Sequence, residues 1–264
     1  MKEPIIVVCI KPVADPECPP SSLEIDNENV RINAIGVPPV INPYDENALE
    51  AALQVKDAMG AKVIALTMVD KAPGGVLHKA RTGADETYVL QDAGFRDLDS
   101  YSTAYVLSAA IGKIGGCDII ITGRQSADWS FGLTGSIIAG IMEIPCVTVA
   151  KGIRTDGDDL LIERLKKSGS EIVKTTMPAV VTMSSEIGDL RLFTLKVIND
   201  ARKKPFVTWS MNDLAIEPDR ISQRKVIRLS PPPSSRRDCV FIHGQNAEEK
   251  GEALAVALHE NKVL

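Results

Sequence analysis

Four short apolar runs, PIIVVCI, AKVIALTMV, ETYVL and CDIIITG, alternate with helix-like stretches through the first 150 residues. Strands separated by helices cannot pair through tight hairpins. They pair in parallel, through crossover connections. The alternation therefore predicts an α/β fold: a doubly wound, mostly parallel sheet with helices on both faces. The stretch PYDENALEAALQVKDAMG has a helix start at Asn42-Pro43, acidic Asp45 and Glu46 in its first turn, and Gly60 at its end. Its Ala48, Leu49, Ala52 and Val55 recur at helical spacing. APGGVLHKARTGA predicts a short helix ending at Gly83, and DSYSTAYVLSAAIGKIG and SIIAGIMEIP predict two more.

The texture changes after residue 150. VTVAKGIRTDGDDLLIERLKKSGSEIVKTTMPAVVTMSS predicts strands joined by an Asp-Gly turn, antiparallel at a sheet edge. ARKKPFVTW reads as a basic, proline-containing link, and SPPPSSRR as a polar linker. A last strand, DCVFIHG, and a helix, AEEKGEALAVALHENKVL, follow. The expected organisation is an α/β domain over 1–229 and a carboxy-terminal arm over 230–264.

Bulk properties exclude several function classes. A net charge of −5 on 264 residues gives no electrostatic reason to bind nucleic acid. No apolar run approaches a membrane span, and MKEPIIVVCIKP reads as a buried first strand rather than a signal peptide. The five cysteines form no CxxC pair and fit a reducing, cytoplasmic setting. The three histidines are far apart, so no metal site is expected.

The informative loop is TGRQSADWSFGLTG, residues 122–135, between the CDIIITG strand and a helix. In a doubly wound sheet, ligands sit at the carboxyl ends of strands where the strand order reverses. The helix N-terminus that follows favours a phosphate. Gly132 and Gly135 allow close backbone approach, Ser130 and Thr134 offer hydroxyls, and Asp128 can accept from a ribose or base. An adenine-nucleotide pocket and a plain glycine-rich loop explain this pattern about equally well. NPYDENA adds a second rim with Asn42 and Asp45, and Met68 lies between the two. No Ser/His/Asp order, paired carboxylates or phosphate-loop lysine accompanies the loop, so no catalytic residue is assigned. A nucleotide here is structural, or a bound cofactor carries the chemistry.

Taken in order, VVCIKPVAD, INPYDENALEAAL, ITGRQSADWSFGLTG and MPAVVTMSSEIGDLRLFTL resemble the β subunit of electron-transferring flavoprotein, and the carboxy-terminal part, with KKPFVTW and the closing strand and helix, looks most like its FixA-like branch. The resemblance implies an adenine-nucleotide α-hydrolase or Rossmann-like fold. It also implies a heterodimer with an α subunit that carries FAD. The β subunit itself holds AMP, or a second FAD in members that bifurcate electrons from NADH. Carried over, the nucleotide site comprises Cys9, Asn42, Pro43, Tyr44, Asp45 and Met68. The loop adds Gly123, Arg124, Gln125, Ser126, Ala127, Asp128, Trp129, Ser130, Phe131, Gly132, Leu133 and Thr134.

The resemblance further implies a segment that docks an acyl-CoA dehydrogenase-type flavoenzyme: Arg191, Leu192, Phe193, Thr194, Leu195, Lys196, Val197 and Ile198, with Leu195 as its apolar anchor. A quinone oxidoreductase, ferredoxin or flavodoxin would lie downstream. Trp129 stands where bifurcating members carry a glycine or an acid, and Phe131 where they carry a small residue. Two rival classes share the expected fold. A universal-stress-type nucleotide-binding module predicts a homodimer. An adenine-nucleotide hydrolase predicts ATP turnover, for which only Arg124 and Asp128 are at hand.

Overall fold

The computed structural model describes residues 3–28, 30–231 and 239–263. The chain divides into two units, 1–228 and 229–264. In the first, strands β1 (Ile5–Ile10), β2 (Pro12–Val13), β3 (Leu23–Asp26), β4 (Arg31–Ala34) and β5 (Val40–Ile41) precede helix α1 (Pro43–Met59). Strand β6 (Lys62–Val69), helix α2 (Gly74–Gly83), strand β7 (Glu86–Gln91), helix α3 (Ser100–Ile114), strand β8 (Ile119–Gly123) and helix α4 (Thr134–Met142) continue the winding. Strands β9 (Cys146–Asp156), β10 (Asp159–Lys166), β11 (Gly169–Thr176) and β12 (Ala179–Met183) follow, then α5 (Leu195–Asp200) and β13 (Phe206–Trp209).

One nine-stranded sheet runs β11-β10-β9-β12-β8-β1-β6-β7-β13. From β9 to β13 every pairing is parallel, while β10 is antiparallel to both its neighbours. The central strands read as near-continuous apolar runs because both faces are covered. Ile6, Val8 and Ile10 of β1 pack beneath α1 and α2, with Val63, Ala65, Ile119, Ile121 and Val181. Val7, Ile64, Leu66, Ile120 and Val180 point the other way, to the side chains of α3 and α4. Among the described residues, no helix is long and apolar enough to cross a membrane.

Three expectations need correction. The AVVTM run lies inside the sheet: β12 inserts between β8 and β9, parallel to both, after the antiparallel excursion β9–β11. Full burial of all five β12 residues accounts for its unbroken apolar run, the mark of an inner strand. The supposed link ARKKPFVTW contains β13, which pairs with β7 and closes the far edge. Its half-exposed Phe206–Trp209 lacks the fully apolar look of an inner strand. In the second unit, residues 239–243 form no strand, since no strand among the described residues there supplies hydrogen-bond partners. Residue 238 and most of the SPPPSSRR linker (232–237) lie outside the described residues. Helix α6 (Ala247–Glu260) forms as its sequence suggests, with Asn246 capping it by accepting from the Glu249 N–H at 2.9 Å.

Candidate nucleotide-binding site

The strand order places β1 between β8 and β6. The chain winds from β1 outward through β6 and β7, then returns to β8 on the opposite side of β1. That reversal opens a crevice at the carboxyl ends of β1 and β8, and a cavity of about 490 Å³ lies there. Its walls come from the end of β1, the start of α1, the end of β6 and the loop from β8 to α4.

Two residues at the start of α1, its N-cap Asn42 and Asp45, hold the rims together. The Asn42 side chain does not cap its own helix. It reaches the β8–α4 loop instead, donating to the Gln125 carbonyl at 2.9 Å and accepting from the Ala127 N–H at 3.0 Å. Asn42 is fully buried, so both bonds are made away from water. The buried Asp45 carboxylate accepts from the Lys11 N–H at 2.8 Å and the Gly123 N–H at 3.1 Å, which ties the ends of β1 and β8. Burial raises its pKa from the ordinary 3.8 to about 7, although the N–H donors of Lys11 and Gly123 pull the other way. Burial likewise raises the Cys9 thiol, with a smaller push from Asp45, so Cys9 is a neutral wall of the cavity.

The loop is tightly built. Ser130 takes a left-handed conformation with φ of +55°, and its N–H and hydroxyl both donate to the Ser126 carbonyl. The Ser130 hydroxyl is therefore engaged within the loop. Gly132 also has positive φ, and a Cβ there would lie 3.0 Å from the Arg124 carbonyl oxygen. Helix α4 starts at Thr134, and its first-turn N–H groups, which have no acceptor within the helix, face the cavity end of the loop. Gly135 allows that start to sit on the sheet: a Cβ would lie 2.7 Å from Thr122 Oγ1 and from Thr182 Cγ2.

Of the nucleotide-site residues expected from sequence, Cys9, Asn42, Asp45, Met68, Gly123–Ser126, Asp128, Trp129 and Phe131–Thr134 line the cavity. Pro43, Tyr44, Ala127 and Ser130 do not line it. The Tyr44 ring lies beneath the Arg124 guanidinium at 5.8 Å.

Two further residues complete the site. Lys11 pairs with both oxygens of Asp128, at 2.7 and 2.6 Å, so the loop's acid is neutralised. Its position directly after a first central strand was the available signal. Arg224 lies 4.0 Å over the Trp129 ring. No local pattern announces it, because the chain returns from far away: Leu98 bridges to Gln223, and the Arg224 N–H donates to the Asp97 carbonyl at 2.7 Å.

The 191–198 segment lies apart from the cavity and divides into a clamped and a presented part. Arg191 forks onto Glu50 at 2.9 and 3.0 Å and reaches Asp57 at 2.6 Å, both on α1. Burial raises the Glu50 carboxyl, and the Arg191 guanidinium more than offsets this, holding it below the ordinary range. Phe193 packs on the core and Thr194 caps α5. Leu192 and Leu195 are left 99 % and 79 % exposed.

Comparison with known proteins fits this geometry. The electron transfer flavoprotein domain matches residues 31–214. The chain belongs to the electron transfer flavoprotein family. It is 31 % identical to the caffeyl-CoA reductase-Etf complex subunit CarD of Acetobacterium woodii, across 98 % of this chain and 99 % of that one. It is 32 % identical to an electron transfer flavoprotein subunit beta of Thermoanaerobacterium thermosaccharolyticum, with the same coverage. It is also 33 % identical to the protein FixA of Azorhizobium caulinodans, across 80 % of this chain and 77 % of the relative. Electron transfer of the β-subunit and FixA kind is thus the family's activity, and the resemblance drawn from the four motifs holds.

Proposed function

We propose that this chain is the β-type subunit of a heterodimeric electron-transfer flavoprotein. With an FAD-carrying α subunit it passes electrons between an acyl-CoA dehydrogenase-type flavoenzyme and a downstream quinone oxidoreductase, ferredoxin or flavodoxin. An adenine nucleotide occupies the switch-point cavity, in the first reading AMP as a structural ligand. The observation that carries this reading is the cavity itself: a helix N-terminus for a phosphate, two rims tied by Asn42 and Asp45, and a loop acid already neutralised by Lys11. Such a site suits holding a ligand rather than turning it over. The flavin supplies the redox chemistry when bound, and this chain's residues shape and hold. The relative named for a caffeyl-CoA reductase-Etf complex supports a CoA-thioester flavoenzyme as partner.

A second reading, a second FAD in this cavity and NADH-driven bifurcation, is favoured by one feature. Trp129 and Phe131 stack on its rim with ring centres 6.0 Å apart, a platform suited to a flat heteroaromatic ring. Coexpression with the α subunit, denaturation and quantification of released nucleotides separates the readings. One FAD and one AMP per heterodimer fits the first, and two FAD without AMP fits the second. A complex with no adenine nucleotide beyond the α-subunit FAD overturns both.

Residues 191–198 dock the flavoenzyme partner in this reading, and the 230–264 arm lies against the α subunit. Leu195→Ala is expected to slow electron exchange with the dehydrogenase roughly 10- to 30-fold, the scale of an apolar hot spot. Nucleotide content would be unchanged. Wild-type exchange rates in this variant would place docking elsewhere.

A further inference from the structure

Four arginines line the cavity: Arg31, Arg96, Arg124 and Arg224. Two are already neutralised, Arg31 by Asp97 at 2.8 Å and Arg96 by Asp70 at 2.6 Å. Lys11 is neutralised by Asp128. Arg224 has no carboxylate partner among the described residues. Its guanidinium is held by rings instead, 4.0 Å over Trp129 and 6.0 Å from Phe131. Its Nε is buried and has no hydrogen-bond acceptor among the described residues.

A buried guanidinium N–H without an acceptor is costly, and planar stacking leaves the donor edge of the group free. The group therefore sits pre-oriented, charged and under-bonded in a ligand cavity. The cavity already offers one anion seat, the N-terminus of α4, reached through Gly132, Leu133 and Thr134. Trp129 and Phe131 belong to the loop leading into that helix, and Arg224 lines the same cavity as the helix start.

We propose that Arg224 seats a second phosphoryl group, so that this cavity prefers a ligand carrying a diphosphate over a nucleoside monophosphate. The proposal rests on the adenine-nucleotide reading above and narrows its ligand class, setting a diphosphate-bearing nucleotide ahead of AMP. Trp129 acts as a positioning residue, fixing the plane of the guanidinium. The shared chemistry, an adenosine diphosphate moiety, can come from free ADP or from a diphosphate-linked dinucleotide such as FAD.

The test uses the complex with its α subunit, stripped of nucleotide from this cavity, and titrates AMP, ADP and FAD into wild type, Arg224→Gln and Arg224→Lys. In wild type ADP is expected to bind more tightly than AMP. Arg224→Gln is expected to weaken ADP roughly 10- to 100-fold, the loss of a charge-assisted hydrogen bond. AMP is expected to weaken less than about threefold on the same scale. Arg224→Lys keeps the charge but not the stacked fork and is expected to fall between. If Arg224 only staples its own segment to the loop, the glutamine variant lowers AMP and ADP affinity alike, or neither, and the proposal is overturned while the nucleotide reading stands. If wild type binds none of the three, the nucleotide reading itself falls and takes the proposal with it. Given the differential loss, uptake of FAD assigns the diphosphate to a dinucleotide, and its exclusion assigns it to a free nucleotide.

Discussion

Gly123→Ala is expected to cost about 3 kcal/mol, the upper end of ordinary overpacking, and to empty the cavity of nucleotide. A Cβ at this position would lie 2.7 Å from the Tyr44 carbonyl carbon and 2.7 Å from Tyr44 Cβ, and against the Asp45 carboxylate. None of these neighbours can swing away. Tyr44 is fixed in the first turn of α1, and Asp45 is held by two backbone donors. The added methyl must therefore push the start of α1 off the end of β8. Thermal unfolding and nucleotide content of the purified complex read this directly. Gly140→Ala is the control, since nothing lies within 4 Å of a Cβ on that exposed turn of α4, and helix propensity favours alanine by up to about 1 kcal/mol. A Gly123→Ala complex with wild-type melting and full nucleotide would show that the two rims are not in rigid contact.

The second large effect is a pH dependence located at Asp45. Its folded pKa of about 7 lies above the ordinary 3.8. A raised acid stabilises the fold as the neutral form, so this contribution is complete below pH of about 4 and drains away as pH rises through about 7. At 1.36 kcal/mol per unit the full swing is about 4 kcal/mol, of which about 3 falls between pH 5 and 8. Other carboxylates move stability in the opposite sense. Glu50, held low by Arg191, loses its contribution as pH falls. The informative quantity is therefore the difference between wild type and Asp45→Asn, measured by urea unfolding at one protein concentration. The advantage of wild type over the variant is expected to shrink by about 3 kcal/mol from pH 5 to pH 8. Parallel pH profiles for the two proteins would place the origin of any pH dependence elsewhere.

Much of the central architecture was legible because burial on both faces leaves a simple trace. Strands β1, β6, β7 and β8 and helices α1 to α4 all appear as apolar runs and periodic stretches bounded by glycine or proline. What stayed hidden is non-local. The hairpin β3–β4 alternates apolar and polar residues over only four positions in each strand and buries neither face fully, and β13 is a half-exposed edge. The insertion of β12 between β8 and β9 depends on pairing that no local pattern encodes.

The cavity follows the same division. Asn42, Asp45 and the 123–134 loop sit at strand-to-helix junctions, which any doubly wound sheet uses for ligands. Arg224 arrives through a bridge between Leu98 and Gln223, more than a hundred residues apart in the chain. Arg191 was expected within a docking segment, and its fork onto Glu50 ties the 191–198 segment to α1.

That anchor makes α1 serve two places at once. Its first turn, at Asn42 and Asp45, builds the rim of the cavity, while Glu50 and Asp57, farther along, grip the root of the segment that exposes Leu195. A straight helix advances about 1.5 Å per residue, so Asp45 and Asp57 stand about 18 Å apart. The helix is a spacer of set length. In the proposed function, the nucleotide in the cavity and the partner at Leu195 are held at a separation that α1 sets, and a proline-induced kink between Asp45 and Asp57 would change that span while leaving the residues at each end in place.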